Sequence, residues 1–149
     1  MPTLKPIAVL GLALFVPTTV LTAADPAPAE KTRLAVLDLS TGEGLKPDDG
    51  QTLAMFLRAA IVQTGRFEVM ERQQIKQLLD EQKFQEAVCD NTKCMVKAGK
   101  ILAVERVMGG RVAKLGTVWT VVLNLVDVES AKLVSSYALP FDGPVETLL

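Results

Sequence analysis

From Val104 to Tyr137 the apolar and polar residues alternate as they do in strands. Trp119, Val121, Leu123 and Leu125 fall on one side of an extended chain and make a continuous apolar face, whereas Val118, Thr120, Val122, Asn124 and Val126 make a mixed one. The pattern predicts a strand buried on one side and partly shielded on the other. Lys114-Leu115-Gly116 is short enough to return the chain as a hairpin, with Gly116 free to take positive φ, and Asp127 to Ala131 makes the next reversal. The region therefore reads as a three-strand meander. Gly109 and Gly110 lie inside its first strand, where glycine marks the close approach of other backbone, read here as packing against a helix. A sheet with an apolar face needs helices laid on it, and the preceding half of the chain supplies them.

Arg33-Leu34-Ala35-Val36-Leu37-Asp38-Leu39 is a short apolar run closed by Ser-Thr-Gly-Glu-Gly, as in a buried strand followed by a loop. Asp38 with Gly42 and Gly44 suggests a phosphate-binding turn only weakly, because a third glycine, a lysine and an immediate helix are all missing. Pro47, Asp48 and Asp49 open a helix in which Leu53, Phe56, Leu57, Ala60 and Ile61 recur at helical spacing, and Gly65 ends it. The two aspartates suit the positive end of the helix dipole and need no catalytic explanation. Phe67 to Met70 is a brief strand. From about Glu71 to Gln82 a polar helix follows, with Ile75, Leu78 and Leu79 as its narrow apolar stripe and Arg72 among its solvated residues. A last helix, through Met95, Ala98, Ile101 and Leu102, leads into the meander.

The N-terminus changes the picture of where this domain works. Met1 to Ala24 carries Lys5, an apolar run from Ile7 to Val16, then Pro17 and small residues up to Ala24, the layout of a secretory signal cut before Asp25. The other reading is an uncleaved anchor, disfavoured because spanning needs about 20 apolar residues and Pro17 interrupts the run. No cysteine near the cut could carry a lipid. Residues 25–32 read as a tether and 33–149 as one α/β domain. The formal charge is -1. No basic footprint for nucleic acid is present.

Histidine is absent from all 149 residues, which removes the commonest general base, metal ligand and pH switch together. The one covalent signal is Cys89-Asp90-Asn91-Thr92-Lys93-Cys94. In an oxidising compartment these two cysteines imply one intrachain disulfide beside a helix capped by Asp90 or Asn91; free or intermolecular thiols are the other reading. Two thiolates without histidine do not complete a zinc site, and a spacing of four is not that of the redox motif. Trp119 and Tyr137 are the sole indole and phenol, too few for an aromatic binding platform, so Trp119 is assigned to the core. No catalytic residue, cofactor or metal is expected.

The succession Leu-Ala-Val-Leu-Asp-Leu, Gly-Arg-Phe-Glu-Val-Met-Glu-Arg-Gln-Gln-Ile, Cys-Asp-Asn-Thr-Lys-Cys, Val-Met-Gly-Gly-Arg-Val-Ala-Lys-Leu-Gly and Leu-Val-Asp-Val-Glu-Ser-Ala-Lys-Leu-Val resembles the curli secretion channel (CsgG-like) family. It is similar also to periplasmic penicillin-binding-protein activator domains and TolB N-terminal-like domains. The resemblance runs from Arg33 onward. It implies a three-layer α/β sandwich like an anticodon-binding domain, with a mixed sheet of about five strands, about three helices and no catalytic residues. Against the family pattern, the lipid-bearing cysteine and the membrane hairpins are missing, and Ser130-Ala131 replaces a threonine and glycine, so a more strained turn is expected there. Relatives continue into a terminal helix where this chain reads Gly143 to Leu149, so either the helix is absent and a partner covers its apolar site, or the chain is a shortened copy.

Three functions follow as expectations. The first is a soluble, non-catalytic periplasmic module that binds envelope proteins or copies of itself, peripheral to the outer membrane and not inserted in it. The second is a small oligomeric outer-membrane component of curli-like transport. The third is a nucleotide-binding or small-molecule-binding α/β protein, which the fold class alone does not exclude.

Overall fold

In the computed structural model, which describes residues 30–84 and 89–143, two parallel strands lie at the centre of a mixed sheet. The elements are β1 (Thr32–Val36), β2 (Ser40–Thr41), α1 (Pro47–Gln63), β3 (Phe67–Val69), α2 (Arg72–Glu81), α3 (Thr92–Leu102), β4 (Arg106–Leu115), β5 (Val118–Asp127) and β6 (Lys132–Phe141). The strand order is β3-β1-β4-β5-β6, with the short β2 also paired to β4. β1 runs parallel to β3 and β4, and β4, β5 and β6 form the antiparallel meander. The fold is the α/β class anticipated, with β2 as an added sixth strand and β1 starting at Thr32, inside the stretch read as tether. The leader, the rest of the tether and residues 144–149 lie outside the described residues.

Both sheet faces carry helices, as the three-layer sandwich implied. One face places Ala35, Val107, Val126 and Val128 against Met95, Ala98 and Leu102 of α3 and Ile75 of α2. The other places Leu39, Val112, Trp119 and Val121 against Ala54 and Leu53 of α1. β5 therefore changes allegiance along its length. Trp119 and Val121 are buried under the α1 side, Val126 under the α3 side, and Leu123 and Leu125 are only half-buried.

Turn chemistry fixes the register. β4 and β5 close through Gly116-Thr117, with Gly116 at φ +64 and Leu115 opposite Val118. Between β5 and β6, Asp127 Oδ1 accepts from the Ser130 N–H (2.8 Å) and hydroxyl (2.7 Å), and Ala131 takes φ +55. An alanine in the left-handed region costs about 1 kcal/mol, which gives the Ser130-Ala131 departure its physical content. A Cβ on Gly109 would come within 2.8 Å of the Cys89 carbonyl oxygen and 3.4 Å of Met95, so that glycine admits the start of α3. Gly110 differs from its expectation: a Cβ there would strike the Val122 carbonyl of the adjacent strand, not a helix.

α1 is rotated from the stripe its spacing suggested. Gly50, Ala54 and Arg58 face the sheet, whereas Phe56 and Ala60 are exposed. Arg58 takes an inward position because Asp38 and the Val36 carbonyl receive it, as set out below.

Candidate functional site

The carboxyl ends of β1 and β3 are where the chain departs to opposite faces, to α1 from β1 and to α2 from β3. In open α/β sheets such a switch point is the usual ligand crevice. A cavity of about 240 Å³ lies there, lined by Leu37, Asp38, Arg58, Arg72, Ile75 and Phe84 among others. Gln51, Lys76 and Asp80 also line it, and three of its polar residues, Asp38, Arg58 and Arg72, are committed to one another. Arg58 Nε and Nη2 donate to the Val36 carbonyl at 3.0 and 2.6 Å, and Nη2 also reaches Asp38 Oδ1 at 3.0 Å. Arg72 Nη2 donates to Asp38 Oδ2 at 2.9 Å, with Nε 3.2 Å from both carboxylate oxygens.

Burial alone pushes the Asp38 carboxyl up, but hydrogen bonds from Arg72 and Arg58, together with their charges, overcome it and hold the group below its ordinary value. The hydrogen bond to Asp38 likewise raises Arg72. A carboxylate held ionised between two guanidinium groups is a poor proton donor or acceptor near neutral pH. Among the described residues no buried polar side-chain atom lacks a partner, and no group of three or more His, Cys, Asp or Glu could hold a metal. The cavity is also below the roughly 300 Å³ at which small-molecule sites begin. The network ties β1, α1 and α2 together. Asp38, considered at first for a phosphate turn, belongs to it, and Arg72 is a partner in it and not a free surface charge. Gly42 packs on Ala113 instead of opening a phosphate loop.

Cys89 and Cys94 are joined, with Cα atoms 5.4 Å apart. Asn91, not Asp90, caps α3, its Oδ1 accepting from the Cys94 N–H at 2.9 Å. Both cysteines are buried in the core beside Met95. They brace the start of α3 and face no solvent.

What remains unexplained by packing is an apolar surface. Along β6, Leu133, Val134, Tyr137 and Leu139 are 48, 47, 62 and 54% exposed. β6 is an outer strand, paired to β5 along one side only. On the α1 side of the sheet Tyr137 stands opposite Leu123 and Leu139 opposite Val121, with half-buried Leu125 beyond. An irregularity in the pairing between Leu125 and Val126 leaves Val134 out of register, and Pro140 lies near the far end. Both features blunt a strand edge without hiding its apolar face. No charged residue occurs from Leu133 to Phe141. Sequence spacing had pointed to Trp119 as core, and it is, at 7% exposed. Tyr137, noted only for its rarity, is the aromatic that stands out from the surface. Among the described residues no helix is long and apolar enough to cross a membrane.

The family model for the curli production assembly/transport component CsgG matches residues 18–122. No protein of curated function matches. Among solved structures, the chain is similar to the LpoB C-terminal domain from Salmonella enterica, at 13% identity and a TM-score of 0.60 over 78% of this chain and 88% of that one. The corresponding domain from Escherichia coli gives 15%, 0.59 and the same coverages. A PelC dodecamer from Paraburkholderia phytofirmans gives 18% identity and 0.52 over 84% of each chain. At these identities the structural likeness concerns the fold.

Proposed function

Because the chain belongs to the CsgG family of curli production assembly/transport components, we propose that it is a non-catalytic, soluble protein-interaction and assembly module of the bacterial cell envelope. In this reading residues 1–24 are an export leader removed near Ala24, 25–32 a tether and 33–149 the working domain, placed in the periplasm at or near the outer membrane. Its partners are envelope proteins or further copies of itself. The observation that carries the proposal is the exposed apolar row of β6, with Tyr137 and Leu139 on the α1 side of the sheet, Leu133 on the other side opposite Val126, and Val134 at the irregularity between them. Exposed patches of this kind mark interaction surfaces. The self-satisfied Asp38 network supports the non-catalytic half of the reading, since the carboxylate at its centre is held between two guanidinium groups and is not free to act as a base.

A photo-crosslinking residue in place of Tyr137, in the exported chain within intact envelopes, tests it. Adducts with a protein partner are expected there and not from Lys76 on the opposite side of the sheet. A chain recovered without adduct from either position, or one that turns over a small metabolite, would overturn the proposal.

A further inference from the structure

The Asp38 network accounts for only part of the cavity at the carboxyl ends of β1 and β3. Its inner end is apolar. Leu37 and Ile75 are buried there, Leu79 and Phe84 are half-buried, and the Phe84 ring is held by Lys97, whose Nζ lies 5.2 Å from the ring centre. The mouth is polar, with Lys76 and Asp80 exposed and Gln51 half-buried. An apolar cavity of about 150 Å³ takes a benzene molecule, so the 240 Å³ here takes, in proportion, about nine or ten non-hydrogen atoms. A nucleotide does not fit in that space; a molecule the size of leucine does.

Several polar groups at the mouth are left over. Arg72 uses Nε and Nη2 on Asp38, which leaves Nη1 without a partner among the described residues. The other side-chain hydrogen bond on α2 joins Gln77 to Glu81, so among the described residues Lys76 and Asp80 have no partner either. On α1 the side-chain bonds are those of Asp49, Thr52 and Arg58, and the Gln51 amide is not among them. Arg72, Lys76 and Asp80 recur at a spacing of four, which places them in one line along α2, each a turn from the next. Lys76 and Asp80 could neutralise each other across that turn, yet they make no ion pair. The line presents two positive charges and then a negative one to the same small space.

We propose that this cavity binds a free α-amino acid with an apolar side chain of about leucine's size. The side chain fills the apolar end, the carboxylate lies between Arg72 Nη1 and Lys76, and the ammonium group faces Asp80 with the Gln51 carbonyl beside it. A ligand of one sign would satisfy one end of the α2 line and meet like charge at the other. An amino acid carries both signs on one carbon. Asp38 and Arg58 serve the site indirectly: their contacts hold the Arg72 guanidinium in place, so a network unfit to move a proton is suited to present a fixed donor. The crevice at a switch point of the strand order is also where open α/β sheets take their ligands. This site is separate from the β6 row and does not depend on it.

Titration of the full chain with L-leucine, followed by two-dimensional amide NMR, is expected to shift the Leu37, Gln51, Ile75 and Leu79 signals saturably, with a half-point between about 0.1 and 1 mM. Glycine, leucinamide and N-acetyl-leucine lack in turn the side chain, the carboxylate and the ammonium charge, and each binds at least about tenfold more weakly. Lys76→Gln and Asp80→Asn, both at exposed positions, weaken leucine binding about tenfold, and Lys76→Arg retains it. Trp119 emission confirms that each variant is folded. The absence of a saturable shift up to about 20 mM leucine overturns the proposal. So does an amide or N-acetyl derivative that binds as tightly as leucine, or leucine binding that Lys76→Gln and Asp80→Asn leave unchanged. None of these results bears on the β6 surface, whose test is the crosslink at Tyr137.

Discussion

Replacing Asp38 by asparagine keeps the side chain's shape and removes the charge on which two guanidinium groups converge. The Arg58 side chain is 11% exposed and that of Asp38 21%, so their 3.0 Å contact is largely desolvated. A hydrogen bond to a charged group in such a place contributes about 1.5 to 3 kcal/mol. Arg72 is 40% exposed, and its 2.9 Å contact is discounted as a near-surface pair worth under about 1 kcal/mol. The asparagine carbonyl retains part of the hydrogen bonding, which brings the expected loss to about 2 kcal/mol. Urea unfolding followed by Trp119 emission would show it as a midpoint lowered by roughly 1 M. The pH dependence has a definite sign. The folded-state value of Asp38 is depressed, so its stabilisation is present above the ordinary carboxylate value of about 3.9 and is lost as pH falls through the lower folded value. Wild type and variant therefore converge in acid. Stabilities within about 0.5 kcal/mol of each other at pH 7, or a gap that widens on acidification, would refute the role given to the network.

Ala131→Gly should stabilise the chain by about 1 kcal/mol in the same assay, since it relieves φ +55 at an exposed turn whose Asp127–Ser130 hydrogen bonds stay in place. Gly109→Ala should cost about 2 kcal/mol or more, because the added Cβ lies 2.8 Å from a backbone oxygen that the buried Cys89 cannot easily withdraw. Thiol titration of the denatured, unreduced chain should find no free thiol, and reduction should lower stability by roughly 2 kcal/mol for a six-residue loop.

The meander was legible because its signals are local. Alternation through β5, Gly116 at the first reversal and the Asp127-to-Ala131 turn each announce themselves within a few residues, and the structure pairs Leu115 with Val118 and Asp127 with Lys132 accordingly. The capping of α3 was nearly as plain, with Asn91 one of two adjacent candidates. The Asp38–Arg58–Arg72 network was not legible. Its members are 20 and 34 positions apart, and no local pattern distinguishes an arginine aimed at a distant carboxylate from one in water. The spacing of apolar residues alone turned the expected α1 stripe toward Phe56 and Ala60. Likewise the even apolar face of β5 concealed that its two ends are covered from opposite sides, since period-two alternation says which residues share a face but not what lies over it.

The error over α1 carries information of its own. Its apolar residues do not fit one line: Leu53, Ala54 and Leu57 are turned toward the sheet or its near flank, while Met55, Phe56 and Val62 are turned away. A surface helix serving one core shows one apolar stripe and charges elsewhere. From Gly50 to Gln63 the sole charged residue of α1 is Arg58, and it is the one turned inward. A helix that places its charge against its own sheet and its methionine, phenylalanine and valine in water has the inverse of that pattern on its outer side. The inversion makes sense if the outer side of α1 is itself a contact surface, as the interaction-module reading expects.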